Sequence, residues 1–399
     1  MRSPNLATAP QASRATRLSE IAAVFLKLGT VAFGGPAAHV AMMEDEVVVK
    51  RGWLSRDDFV DYLGATNLIP GPNSTELAIH VGFVRAGWPG LLVAGACFIL
   101  PAALIVGALA WGYVRYGALP AASGLLYGVK PVVIAIVGQA LVRLGRTALR
   151  STALVAIAVA SVVASAFGVN ELLVLAGAAV AGVAFSRPAR AARNEARVAG
   201  VALVPGRLAI PTAIGGATLP TLLAAATPAS LFGVFLKIGS VLFGSGYVLL
   251  AFLRNDIVVR HGWLTESQLL DAVAVGQMTP GPVFTTATFV GYVAGGAAGA
   301  VAATIGIFLP AFAFVAASGP LVPRLRRSRI ASAALDGVNA GSLALMGVVA
   351  AQLARDAMPS PLAIALAVLA LVVLGRFRVN SAWLVLGGAL IGVTRALVH

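Results

Sequence analysis

Two short stretches of the sequence carry residue types that suit anion chemistry. Pro70-Gly71-Pro72-Asn73-Ser74-Thr75-Glu76 stops one helix and starts another, and Thr279-Pro280-Gly281-Pro282, with Thr285 and Thr286 behind it, repeats the device. The prolines remove backbone donors and the central glycine permits the turn. Asn73, Ser74 or Thr75 then caps the helix that follows. The N–H groups at the start of such a half-helix attract an oxyanion when they point into a membrane interior. A proline kink that only shapes packing is the bland alternative, and duplication of the motif weakens it.

Four ionisable residues join these turns as candidates. Lys27 and Lys237 lie inside apolar segments, Glu76 follows the capping triplet, and Asp336 stands where the other half of the chain has Tyr127. An ionisable group within a membrane segment is a functional candidate by default. The lysines are expected to lend positive potential to an anion, and Glu76 and Asp336 to carry protons. The competing readings are snorkelling for the lysines, a helix cap for Glu76, and a plain interhelical contact for Asp336.

The elements that hold these residues follow from composition. Of 399 residues, 59% are apolar and 11% charged, where a soluble chain carries about 25% charged residues. With a mean hydropathy of +0.91 and apolar runs near the roughly 20 residues of a membrane helix, the chain is an all-α polytopic membrane protein. The runs are continuous, so a barrel of alternating strands is excluded. The 29 basic against 15 acidic residues punctuate apolar runs. They therefore read as topological anchors rather than a nucleic-acid surface. No P-loop, metal-ligand spacing or nucleophile–base pair occurs, so neither an ATP-driven pump, a metal or other cofactor, nor an enzyme is expected.

Self-similarity is the strongest signal. Phe25-Leu26-Lys27-Leu28-Gly29 recurs as Phe235-Leu236-Lys237-Ile238-Gly239, and the same offset of 210 pairs Gly52-Trp53-Leu54 with Gly262-Trp263-Leu264 and Asp61 with Asp271. After a one-residue slip, Leu100-Pro101 matches Leu309-Pro310 and Gly128-Val129 matches Gly337-Val338. The chain divides into a basic, uncleaved tail (1–20), a first repeat (21–187), an Arg- and Pro-bearing linker (188–227) and a second repeat (228–399). In each repeat a first helix breaks at glycines, at Gly34-Gly35-Pro36 or at Gly244-Ser245-Gly246. An interfacial charged stretch, two short helices meeting at Pro-Gly-Pro and four longer helices follow. The short helices, 57–69 and 73–86 in the first repeat, cannot span alone. A re-entrant hairpin or broken helix facing protein or water is the reading.

Loop charges orient the repeats. Arg143, Arg146 and Arg150 close one loop of the first repeat, whereas Arg324, Arg326, Arg327 and Arg329 occupy a non-equivalent loop of the second. Counting basic residues in short loops puts the clusters at 143–150, 187–197, 324–329 and 376–378 on the cytoplasmic side. The two repeats are then inverted, as in many secondary transporters.

Phe33-Gly34-Gly35-Pro36, Met42-Met43-Glu44, Trp53-Leu54, Asn67-Leu68-Ile69-Pro70-Gly71-Pro72 and Phe98-Ile99-Leu100-Pro101 together resemble the chromate ion transporter family in its long-chain, two-domain form. The second repeat adds Phe243-Gly244, Gly262-Trp263-Leu264 and Pro280-Gly281-Pro282. The resemblance covers the chain except tail and linker. It implies chromate export across the cytoplasmic (inner) membrane, with sulfate as the look-alike competitor, the bilayer as surroundings and a homodimer as one assembly. Two departures bear on the substrate: Asn73-Ser74-Thr75 replaces the Glu-Ala-Gln of many relatives, and Gly244-Ser245-Gly246 replaces Gly-Gly-Pro. Uptake or exchange of sulfate or another oxyanion, and an anion channel, are the rival functions. Export as a dianion runs with the membrane potential, and proton antiport would add to it.

Overall fold

The computed structural model describes residues 13–33, 36–66, 68–117, 119–185, 225–243, 248–377, 379 and 381–398. Gly34, Gly35 and Gly244 lie outside the described residues, as does nearly all of the linker.

The first repeat comprises α1 (Arg14–Val31), α2 (Pro36–Glu44) with a π-helical extension (Asp45–Lys50), α3 (Arg56–Thr66), α4 (Asn73–Tyr116), α5 (Pro120–Ala148), α6 (Thr152–Ala166) and α7 (Glu171–Phe185). The second comprises α8 (Pro228–Val241), α9 (Leu249–Leu253) with its own π-helical extension (Arg254–Arg260), and α10 (Glu266–Met278). A 3-10 turn (Val283–Thr285), α11 (Thr286–Arg327), α12 (Arg329–Ala357), α13 (Pro361–Arg376) and α14 (Ser381–Val398) complete it. The matching order, down to the π-helical stretches, follows from the matching sequence.

Among the described residues, five helices are long and apolar enough to cross a membrane. Helices α6 and α7 hold 15 residues each, close to the 152–168 and 171–186 that the sequence suggests. At about 1.5 Å per residue they reach only about 22 Å. Helix α6 stops where Phe167 and Gly168 leave the helix, Gly168 with a φ of 75°.

Helix α4 is two helices. At Ala86 and Gly87 the backbone leaves the helical region, Gly87 at φ 66°, and the short arm folds back on the long one. A Cβ on Gly82 would stand 2.3 Å from the carbonyl oxygen of Gly90, so the arms touch backbone to backbone. Gly295 and Gly296 repeat the break in α11, and Gly291 meets Gly299 in the same way. Each Pro-Gly-Pro thus joins two short arms, α3 with the start of α4, and α10 with the start of α11.

The repeats interlock reciprocally. Helix α1 packs on α4 and α8 on α11 within each repeat. Across them, α5 packs on α13 and α14, α12 on α6 and α7, and α4 on α11. Small residues bring these helices together, as is usual where lipid supplies no hydrophobic drive between helices. Gly128 abuts the backbone of Gly388, and its equivalent Gly337 abuts that of Ala178. One buried apolar cluster runs from Ile99, Val106 and Val133 of the first repeat to Phe235, Phe289 and Met346 of the second.

Candidate functional site

The two Pro-Gly-Pro turns sit at equivalent places and exchange partners between repeats. The Gly71 amide donates to the carbonyl of Leu242 at the end of α8 (2.8 Å), and the Gly281 amide donates to the carbonyl of Ala32 at the end of α1 (3.0 Å). Gly71 has φ 139° and Gly281 φ 84°, a region where a side chain is strained. Each turn also rests on the long arm of the opposite repeat, Gly71 against Ala311 and Gly281 against Ala102. If the broken first helix and the Pro-Gly-Pro turn both dip to mid-membrane, they should lie side by side. The structure makes that contact between repeats, through Ala32 and Leu242, each two residues before the glycines.

Helix α4 starts directly after the turn. The amides of Thr75 and Glu76 donate to the Pro72 carbonyl at 2.7 and 3.0 Å. The hydroxyl of Ser74 meets Nδ1 of His39 at 3.3 Å, and His39 donates through Nε2 to the Ala32 carbonyl (3.0 Å). The Ala32 carbonyl therefore accepts from both His39 and Gly281, which ties the first turn to the second. Thr75 Oγ1 is buried with no partner among the described residues. In the second repeat Thr285 and Thr286 turn their hydroxyls onto the carbonyls of Pro282 and Val283. Asn73 opens α4, and Pro70, Pro72, Pro280 and Pro282 frame the two turns.

Glu76 is fully buried, and neither carboxyl oxygen has a partner among the described residues. A Cβ on Gly71 would stand 2.3 Å from Glu76 Oε1, so the carboxyl lies directly against the turn. A polar group buried without a hydrogen bond is costly. The equivalent position in the second repeat is Thr286, so the carboxyl exists on one side only. One turn further on, His80 packs against Tyr62 and reaches Ser318 of α11.

The other ionisable candidates have partners. Lys27 reaches Glu46 Oε1 at 2.5 Å. Lys237 reaches Asp256 at 2.7 Å, with Glu171 of the first repeat at 3.6 Å. Glu46 and Asp256 are equivalent residues of the two charged stretches, which are therefore only partly solvated: both carboxylates are buried. Each lysine clamps its first helix to the stretch that follows. Asp336 pairs with Arg150 at 2.6 Å on an exposed edge, away from the turns.

These pairs differ in what a mutation removes. Lys27→Met leaves Glu46 with Lys50 at 3.3 Å and Arg51 at 3.6 Å. Lys237→Met leaves Asp256, 1% exposed, with Arg260 alone at 3.3 Å. Orphaning a buried charge costs about 3–5 kcal/mol; Lys237 is 28% exposed and Arg260 remains, so about 2 kcal/mol is expected. Thermal unfolding of purified variants should show the larger loss for Lys237→Met, and Lys237→Arg should recover most of it. Equal losses for the two methionine variants would contradict the difference in burial.

Sequence reading missed His39 and His80, and although the replacement of Lys130 by Asn339 and the Asp61–Asp271 match are legible, nothing in the sequence joins Lys130 to Asp271 and Tyr113. Each histidine is single and fits no spacing motif. Its environment comes from helices distant in the chain.

Comparison with known proteins decides the family. The chromate transporter family model matches residues 19–183 and again 229–393. The chain belongs to the chromate transporter family. That family comprises transporters, not enzymes. A chromate transport protein of Pseudomonas aeruginosa is 35% identical over 84% of this chain and 81% of its own length. Another, of Cupriavidus metallidurans, is 33% identical over 96% and 94% respectively. A probable chromate transport protein of Synechococcus elongatus is 32% identical over 83% and 84%. No solved structure matches the chain.

Proposed function

We propose that this family member is a secondary transporter that exports chromate across the cytoplasmic membrane, with its two repeats inverted and one oxyanion site built from both. The observation that carries the reading is the reciprocal docking of the Pro-Gly-Pro turns, Gly71 on Leu242 and Gly281 on Ala32. In this reading the first turns of α4 and α11 supply backbone donors, with Asn73, Ser74, Thr75 and Thr285 as neighbouring polar groups. Gly34, Gly35 and Gly244 follow the docked carbonyls in sequence and are counted with the site on that ground alone. Lys27 and Lys237 act at the rim through their pairs with Glu46 and Asp256, while Asp336, paired with Arg150, is a second candidate proton carrier outside the oxyanion site. Glu76 is the proton-responsive group.

The membrane potential is sufficient as a driving force. One charge through 100 mV is worth about 2.3 kcal/mol, so a dianion gains about 4.6 kcal/mol on leaving a negative interior. That corresponds to about three decades of gradient. Everted vesicles provide the test. They should accumulate chromate when the potential is inside-positive, saturably and with sulfate competing. Non-saturable flux would mark a channel, and sulfate accumulation without chromate accumulation would mark the other oxyanion reading.

A further inference from the structure

A second polar site lies away from the Pro-Gly-Pro turns. Lys130 of α5 reaches across the repeat boundary to Asp271 of α10 (3.0 Å) and donates to Ser267 (2.7 Å). Tyr113, near the end of α4, donates to the other oxygen of the same carboxyl at 2.9 Å. These residues line a cavity of about 470 Å³ together with Gln268 and Ser123. The cavity is open, yet Asp271 is 4% and Lys130 17% exposed at their side chains. The ion pair therefore forms a floor rather than a surface contact.

The equivalent positions in the other half reverse the chemistry. Asn339 stands for Lys130 and Val322 for Tyr113, while Asp57 and Asp58 stand for Ser267 and Gln268. Asp61 and Asp271 are the shared residue. An inverted pair of repeats would place these two sets at opposite mouths, one with an ammonium among hydroxyl and amide donors, the other acidic. An ammonium carries three donors, and Asp271 and Ser267 account for two.

We propose that the Lys130 cavity is a one-sided docking port for a tetrahedral dianionic oxyanion, in which the anion competes with Asp271 for Lys130. The port rests on the oxyanion substrate of the reading above, but not on the Pro-Gly-Pro cradle. Ser267 and Gln268 supply further donors, and Tyr113 keeps its hydrogen bond to the Asp271 carboxyl as the ammonium turns to the anion. The Asp271 carboxylate sets the affinity, holding the port weak enough to release what it catches. By the loop charges this port lies at the exit mouth, and the set around Asp61 lies on the cytoplasmic side, where the sequence also places Arg324, Arg326 and Arg327.

Amine acylation followed by mass spectrometry tests the port, because the chain has only four lysines, Lys27, Lys50, Lys130 and Lys237. In the purified full-length protein, chromate should slow acylation of Lys130 and leave exposed Lys50 unchanged. Asp271→Asn removes the competitor, so protection should appear at chromate concentrations lower by on the order of tenfold. Gly71→Val, which spoils the cradle, should keep Lys130 protection while losing transport, so loss of the cradle alone leaves the port standing. Lys130→Gln combined with Asp271→Asn removes both charges without leaving a buried ion, and should insert normally while efflux becomes less sensitive to chromate added on the outer side. The proposal is overturned if saturating chromate leaves Lys130 acylation unchanged in both the native and the Asp271→Asn proteins. Native sensitivity to outer chromate in the double variant would overturn it as well.

Discussion

Gly71→Val and Gly281→Val should each weaken chromate affinity by tenfold or more while the protein still inserts. Gly71 occupies φ 139° and Gly281 φ 84°, where a β-branched residue costs about 1–3 kcal/mol of strain. Space is refused as well. A Cβ at Gly71 would stand 2.3 Å from the Glu76 carboxyl, and one at Gly281 would stand 2.7 Å from Ala102 Cβ and 3.1 Å from the Gly29 carbonyl oxygen. Relief requires the Glu76 carboxyl to swing aside at Gly71 and the turn itself to move at Gly281, and the turn sets where the first amides of α4 or α11 point. An anion held by several such donors loses about tenfold for each 1.4 kcal/mol. Because the two turns exchange partners, damage to either one should reach the shared site. Gly375→Val is the control. Its Cβ meets nothing within 4 Å, and Gly375 lies in the last turn of α13 rather than in the connection after it. The measurement is chromate affinity in membranes matched for protein level. Wild-type affinity in both turn variants would sink the cradle.

The repeat made much of this architecture legible before any coordinates. Identical punctuation at Pro70-Gly71-Pro72 and Pro280-Gly281-Pro282 implied short helical arms in both halves, and both halves have them. The Gly87 and Gly296 breaks were legible only as ends of a short arm, because a glycine in an apolar run does not announce a positive φ. Partner identity was the larger gap. Lys27 and Lys237 look alike as lone cations in apolar segments, yet each finds a carboxylate 19 residues away on a separate helix. That spacing is no local motif; the offset shared by Glu46 and Asp256 was the available clue. The Lys130–Asp271 pair joins residues 141 positions apart in different repeats, so only packing reveals it. The same holds for His39, whose role depends on a carbonyl that also serves Gly281.

If Glu76 is the proton-responsive group proposed above, Glu76→Gln should abolish the proton uptake that accompanies chromate binding. The carboxyl is fully buried without a partner and lies against the Gly71 turn where the anion is proposed to sit. A carboxylate and a dianion in one low-dielectric site repel strongly, about 4 kcal/mol per charge pair at 4 Å even for an effective dielectric constant of 20. Occupancy by the anion and a proton on Glu76 therefore favour each other, and this linkage is reciprocal. The proton then travels with the oxyanion rather than against it, and the complex still carries one negative charge for the potential to drive outward. Adding chromate to weakly buffered protein, at a pH alkaline enough that both the anion and the anion-free Glu76 are ionised, should draw a proton from the medium. The Gln variant keeps the volume and a donor, so it should bind chromate as well as or better than the native protein and draw none. His39 and His80 are the nearest imidazoles, and both remain in that variant, with Tyr62 beside His80. Proton uptake that persists in Glu76→Gln would move the coupling to one of these histidines. Proton release on binding in the native protein would reverse the sign and restore antiport.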